Sequence, residues 1–381
     1  MGEKKHSILK KVLILIFSAV IGITIGVVGI SYWNDVQLET QNDLIDEIYA
    51  KDKHYQYYYS KLNAKDKDTY KRMYFAMATF KDEIDVKETN TEQITVILNY
   101  IFNDHPELYY IDGEYEYVKE TDTLTFYPRF VMNKNEVESK NSQLKEITAE
   151  VVEKAKSQKD DLTKAKVIYD YIIENTKYVE RKGKDQDVIG ALLEHETVCA
   201  GYARAYQLLM NQVGVPCSYI VGDSKIETEN SPGYEGHAWN MVKINDDYYY
   251  CDPTWGDDAN KYGAHTCYAY FMMDSDDMLR CYTTDDFYEK TKNPSVSYFK
   301  YNNIYMESYN ENIVSNAIQL GLKNKSRVAE VKCGSQSVYN RLKKRLTKDY
   351  LAYEQLKKNG CWSDNTRYAC LDELKVIELY Y

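Results

Sequence analysis

At 381 residues, 44% of them hydrophobic, the chain can bury a sizeable core and, at about 150 residues per domain, form two or three folded units. A net charge of -11, with no long Lys/Arg block beyond the N-terminus, excludes the electrostatic footprint of a nucleic-acid binder. Most of the 39 tyrosines read as half-buried packing rings with solvated hydroxyls, with a carbohydrate or peptide surface as the alternative.

In chain order, Val12 to Tyr32 carries no charged residue and has about the ~20-residue length that crosses a bilayer as a helix. Lys4, Lys5, Lys10 and Lys11 precede it, and Asp35, Glu39, Asp43 and Asp46 follow. The positive-inside rule then predicts a cytoplasmic tail over residues 1–11, a single-pass transmembrane anchor over 12–32 and everything else outside the membrane. A cleaved signal peptide is the rival, but its apolar core is normally only about 7 to 15 residues long. Residues 33–160 read as an extracytoplasmic α+β region. It opens with two polar helices, the second with Tyr70, Tyr74, Met77 and Ala78 on its apolar face, and continues to a hairpin from Tyr115–Val118 and Thr123–Tyr127. A helix is expected over about Lys140 to Gln158.

Residues 161–293 read as the catalytic domain, and 294–381 as a C-terminal α/β domain. Leu162, Ala165, Ile168, Tyr169 and Ile172 mark an amphipathic helix. The next runs alternate as helix, strand and strand: Ala200 to Val213, stopped by Gly214 and Pro216; Ala238 to Ile244; and Tyr248 to Asp252. In the C-terminal part, short strands are expected near Tyr298–Met306 and Arg327–Cys333, one Lys/Arg-rich helix from Val338 to Lys357, and a strand at Val376–Tyr380.

Chemistry concentrates at three places. Cys199 opens the helix, where unpaired N–H groups and the macrodipole favour a thiolate nucleophile, and its own N–H is a candidate oxyanion donor. Tyr178 or an upstream amide is the candidate second donor. If Asn245-Asp246 is a two-residue hairpin loop, Ile244 pairs with Asp247, Trp239 falls opposite Asp252, and His237 is a same-face neighbour of that carboxylate. A three-residue loop would reverse the parity. These are the parts of a Cys-His-Asp acyl-transfer site.

Competing readings exist for each part. His195 is a rival base, but lies in a charged Glu194-His195-Glu196 setting that reads as surface. His265 and Cys267, with Cys251 and Cys281 nearby, lack the paired spacing of zinc ligands, so no metal and no cofactor is expected. Cys217 and Cys251 read as buried small hydrophobes, and Cys361 and Cys370 are close enough in sequence to bridge.

At Val198-Cys199-Ala200-Gly201-Tyr202-Ala203, Gly214-Val215-Pro216, Gly236-His237-Ala238-Trp239 and Asp252-Pro253-Thr254-Trp255 the sequence resembles the bacterial transglutaminase-like family. The resemblance covers about Asp161 to Asn293 and implies a papain-like core, with the Cys helix packed on an antiparallel sheet that bears His and Asp. It implies Cys199 as nucleophile, His237 as base and Asp252 as orienting acid, with Gly201, Trp239 and Trp255 as packing and substrate-wall positions. The implied activity is acyl transfer, deamidation or peptide cleavage on a protein or peptide, with a cell-envelope substrate fitting the external placement. A non-catalytic surface scaffold with a vestigial core is the alternative.

Overall fold

Asn245 and Asp246 both adopt positive φ, 51° and 61°, the type I′ geometry whose twist matches that of flanking strands. Ile244 therefore pairs with Asp247 and the hairpin runs on to Asn240 opposite Cys251, the register expected from a two-residue loop. In this computed structural model, residues 41–52, 54–181, 186–226, 233, 235–257, 265–361 and 365–381 are described. The expected cytoplasmic tail and anchor lie outside them. Among the described residues no helix is long and apolar enough to cross a membrane.

The hairpin forms half of a four-stranded antiparallel sheet in the order Asp247–Cys251, Glu235–Ile244, Cys217–Ser224, Tyr282–Thr283. Helix Cys199–Gln212 packs on its two central strands. Buried Asn240 fixes the docking by donating from Nδ2 to the Ala203 carbonyl at 2.9 Å. Gly214, at φ 77°, ends the helix and turns the chain toward the strand at Cys217. Helix Asp161–Asn175 contributes Leu162, Ala165, Ile168, Tyr169 and Ile172 to the core, as their spacing predicts.

On the N-terminal side, helices Ala64–Ala78 and Thr91–Asp104 pack with a three-stranded antiparallel sheet in the order Ile84–Val86, Leu124–Phe130, Ile111–Lys119. Tyr70, Tyr74 and Met77 are buried on the expected face. The helix expected from Lys140 starts earlier, at Lys134, because Asn133 and Glu136 form a reciprocal capping box there.

The C-terminal sheet runs Tyr305–Met306, Val328–Cys333, Val376–Tyr380, Arg367–Leu371. Two expectations are corrected there. Tyr298–Tyr301 is helical, and the Lys/Arg-rich helix divides into Gln336–Lys348 and Leu351–Lys358 where Tyr350 takes φ 62°.

One core runs through all three sequence regions, from Ile45 to Tyr381. Polar contacts cross the same divisions: Tyr58 Oη donates to the Tyr219 carbonyl at 2.8 Å, Arg204 to the Phe102 carbonyl at 2.6 Å, and Gln207 to the Asn103 carbonyl at 2.7 Å. The tyrosines are more deeply placed than expected. Tyr58, Tyr70, Tyr169, Tyr206, Tyr250 and Tyr282 are fully buried, and their hydroxyls bond protein groups such as Asp104, Asp252 and the Glu289 carbonyl instead of water. All eight cysteines are free thiols, Cys361 and Cys370 included. Cys217 and Cys251 are fully buried, as their apolar settings predict.

Candidate active site

Cys199 heads its helix behind Val198, an N-cap residue with no side chain to accept from the first turn. The neighbouring helices of this core are capped by Asp160 and Asp187. A β-branched apolar N-cap leaves that helix end without a side-chain acceptor. The Cys199 N–H is thus at an end suited to an oxyanion, and Tyr178 lies beside it, its backbone paired with Thr197 in a short parallel ladder. Cys199 is half-buried, packed against Ala200, Ala203, Tyr219 and Ala238, so part of the residue stays open to solvent.

The imidazole of His237 joins the other two groups. Its Nε2 lies 2.7 Å from Asp252 Oδ2, which leaves Nδ1 as the ring nitrogen free to serve the Cys199 thiol. Its side chain is only 8% exposed. Burial by itself disfavours the imidazolium, but the charge of Asp252 and the hydrogen bonds with Asp252 and Cys199 outweigh it and raise the His237 pKa to about 10. The surroundings of His237 therefore favour its protonated form.

Asp252 has two tasks, one for each oxygen. Oδ1 accepts from the N–H groups of Thr254 and Trp255 at 2.9 and 3.2 Å, capping the short helix Pro253–Gly256. Oδ2 takes His237 and also the Tyr282 hydroxyl at 2.7 Å. The turn reading of Asp-Pro and the triad reading are thus both realised in a single, fully buried carboxylate.

Tyr282 is the site residue that the sequence did not reveal. Its ring lies nearly parallel to His237, 3° off with centroids 5.7 Å apart, and stacks on Trp239 at 4.6 Å. Gly222, opposite His237 in the ladder, makes room for it: a Cβ there would lie 2.1 Å from the Thr283 carbonyl.

The three proposed substrate-wall positions separate. Trp239 is fully buried, on the sheet face of Tyr282, whereas Ala238 and Asn240 face the nucleophile helix. It supports the histidine from behind and is not a wall. Gly201 is also buried; an added Cβ would lie 1.8 Å from Thr197 Oγ1 and 3.0 Å from the Asp187 carbonyl. Close packing, not substrate access, fixes glycine there. Trp255 alone stays partly exposed, its ring 6.3 Å from His237. Beside the site a cavity of about 920 Å³ is lined by Ala200, Arg204 and Tyr219 together with Phe102 and Tyr109 from the N-terminal region.

His195 is exposed, on a turn with φ 59°. The weighed set of His265, Cys267, Cys251 and Cys281 does not assemble: Cys251 Sγ is held by Tyr206 Oη and the Met272 N–H. Among the described residues, two other groups have metal-ligand chemistry, Asp52–His54–His105 and Cys267–Glu330–Glu378.

Residues 145–253 match the transglutaminase-like superfamily, starting within the helix that precedes Asp161. Kyphoscoliosis peptidase of Mus musculus is 28% identical over 124 residues, covering 30% of this chain and 18% of that protein. The chain thus spans under a fifth of that relative. A solved structure described as a TGase is 15% identical, covers 50% of this chain and 54% of its own, and has a TM-score of 0.25. A candidate cysteine protease from Cytophaga hutchinsonii is 14% identical, covers 37% and 61% respectively, and has the same TM-score of 0.25.

Proposed function

The chain carries a domain of the transglutaminase-like superfamily over residues 145–253, and on that premise we propose that it is a cysteine acyltransferase or peptidase acting on protein or peptide amides through a thioester at Cys199. The observation that supports this most is the 2.7 Å His237–Asp252 contact behind a cysteine that stays partly open to solvent. The thiolate of Cys199 attacks the carbonyl carbon of a glutamine carboxamide or a peptide bond, and the helix N-terminus receives the developing oxyanion. His237 gives its proton to the leaving amine as the C–N bond breaks. An incoming amine or water then loses a proton to His237 and displaces the sulfur. An amine acceptor gives a cross-link; water gives deamidation or cleavage.

In this reading residues 12–32 tether the enzyme and hold the catalytic domain outside the membrane, where protein or peptide components of the cell envelope are its substrates. Residues 33–160, 161–293 and 294–381 then divide the external part into an N-terminal region, a catalytic region and a C-terminal region around the shared core.

Incubation with a glutamine-containing peptide, with and without an amine donor, followed by mass spectrometry of the peptide, tests the reaction class. Amine incorporation identifies a transferase, acid formation a deamidase, and two fragments a peptidase. An unchanged peptide in every arm, with no acyl group on the protein, would favour the scaffold reading and overturn this one.

A further inference from the structure

We propose that Cys267, Glu330 and Glu378 bind a divalent metal ion of the zinc class, forming a clasp between the C-terminal sheet and the segment that carries Asp252. The donor atoms, one from each residue, all lie within 4.8 Å of one another. Zinc would hold them at about 2.1 Å for carboxylate oxygen and about 2.3 Å for thiolate sulfur, so binding requires the side chains to close around the ion.

Charge gives the first argument. Glu330 and Glu378 are direct partners on adjacent antiparallel strands, and like charges in that position repel. Both are nonetheless buried, and Cys267 between them is fully so. Their partners are almost all neutral: Tyr268 N–H donates to Glu330 at 2.8 Å, Tyr380 Oη to Glu378 at 2.8 Å, and the Cys267 side chain interacts with both carboxyl groups. His265 Nε2 lies 3.2 Å from Glu378 Oε1. Lys332, on the same strand as Glu330, is paired with Asp277 instead. Burial and the facing carboxylate favour the neutral forms of Glu330 and Cys267 when no ion is bound, and a divalent cation would take the place of those protons and let all three groups act as ligands.

Ligand chemistry gives the second. A thiolate with two carboxylates suits zinc, whereas calcium and magnesium take oxygen ligands. His265 then acts from outside the coordination sphere, holding Glu378 in orientation. A cavity of about 880 Å³, lined by His265, Thr266 and Glu330, reaches the group at Glu330 and offers a route for the ion. By contrast, the Asp52–His54–His105 group is already matched in charge, His54 bonding Asp52 at 2.6 Å and His105 bonding Glu107 at 2.9 Å.

The clasp reaches the active site through Tyr169 and through the Cys267 N–H, which donates to the Gly256 carbonyl at 2.9 Å. Tyr169 Oη donates to the carbonyls of both Asp252 and Cys267, at 3.1 and 3.2 Å. Gly256 permits that approach, since a Cβ there would lie 2.0 Å from the Tyr169 hydroxyl.

Titration of the chelator-stripped full-length protein with Zn²⁺ alone, and with Co²⁺ as a spectroscopic substitute, tests the assignment. A Cys199→Ala background keeps the reactive thiol out of the signal. The expected result is one ion per chain, a raised melting temperature with Zn²⁺, and a thiolate-to-cobalt charge-transfer band. Cys267→Ser should abolish the band, and Glu330→Gln should weaken binding at least ~10-fold. If either variant fails to fold, the parent titration still decides. A melting temperature indifferent to Zn²⁺ and chelator would leave the carboxyl pair sharing a proton and overturn the proposal, as would a band that survives in Cys267→Ser.

Discussion

Cys199→Ala is expected to abolish thioester formation and to lower turnover by on the order of 10⁴-fold or more, while leaving the protein folded. The sulfur makes the only covalent bond between enzyme and substrate in the proposed reaction, and no neighbouring group replaces it. Cys217, Cys251, Cys267, Cys281 and Cys333 are buried, and burial pushes the Cys251, Cys281 and Cys333 thiols up to about 12. Those thiols are inert near neutral pH. The half-buried side chain of Cys199 packs mainly against alanines, so its truncation should cost no more than about 1 kcal/mol. Mass spectrometry of the protein after brief exposure to substrate, with a thermal melt alongside, checks both statements. A variant that still becomes acylated would move the nucleophile elsewhere.

Asp252→Asn is expected to lower kcat/KM by roughly 10² to 10⁴-fold and to move the alkaline limb of the pH profile toward lower pH. Asparagine is itself a good N-cap, so its oxygen can keep the bonds to Thr254 and Trp255 N–H, and the helix Pro253–Gly256 should persist. Its NH₂ group then faces His237 Nε2 and Tyr282. An amide donating to Nε2 forces the ring proton onto Nδ1, so a neutral His237 can no longer accept a proton from the incoming nucleophile.

The sign of the pH effect follows from the charge. In the wild type, burial opposes the imidazolium and Asp252 with its hydrogen bond raises the His237 pKa to about 10. The proton is gained on folding, so the stabilisation it brings is complete below the unfolded value of about 6.5 and is lost as pH rises through about 10. Without the carboxylate, burial acts against the charge largely unopposed, and the general acid is lost at a lower pH. The deficit of the variant should therefore be larger at pH 8 than at pH 6. Parallel profiles for the two proteins would mean that Asp252 acts only as a helix cap.

The parts of this site that depend on local rules were legible in the sequence. Asn245-Asp246 set the hairpin, the hairpin set the register, and the register brought His237 and Asp252 onto one face. The apolar stripe and the Gly214 stop placed Cys199 at a helix start. Proximity along the chain misled where direction mattered. Gly201 and Trp239 are within two residues of Cys199 and His237, yet one faces Thr197 and the other Tyr282. Tyr282 reaches Asp252 from a strand on the far edge of the sheet, and no spacing rule connects them. The same holds for Cys267, Glu330 and Glu378, which only the C-terminal sheet brings together. Helix Thr91–Asp104 contains the β-branched run Ile94-Thr95-Val96-Ile97, a poor local signal for helix, and burial of Ile94, Ile97, Leu98 and Ile101 outweighs it.

The most direct test is the rate at which a small alkylating probe modifies Cys199 at neutral pH, read by peptide mapping in the wild type and in His237→Ala. With His237 biased toward its charged form by Asp252, Cys199 should react before the other cysteines and faster than free cysteine, and the variant should lose that advantage. A Cys199 that reacts no faster than free cysteine, with or without His237, would contradict the account.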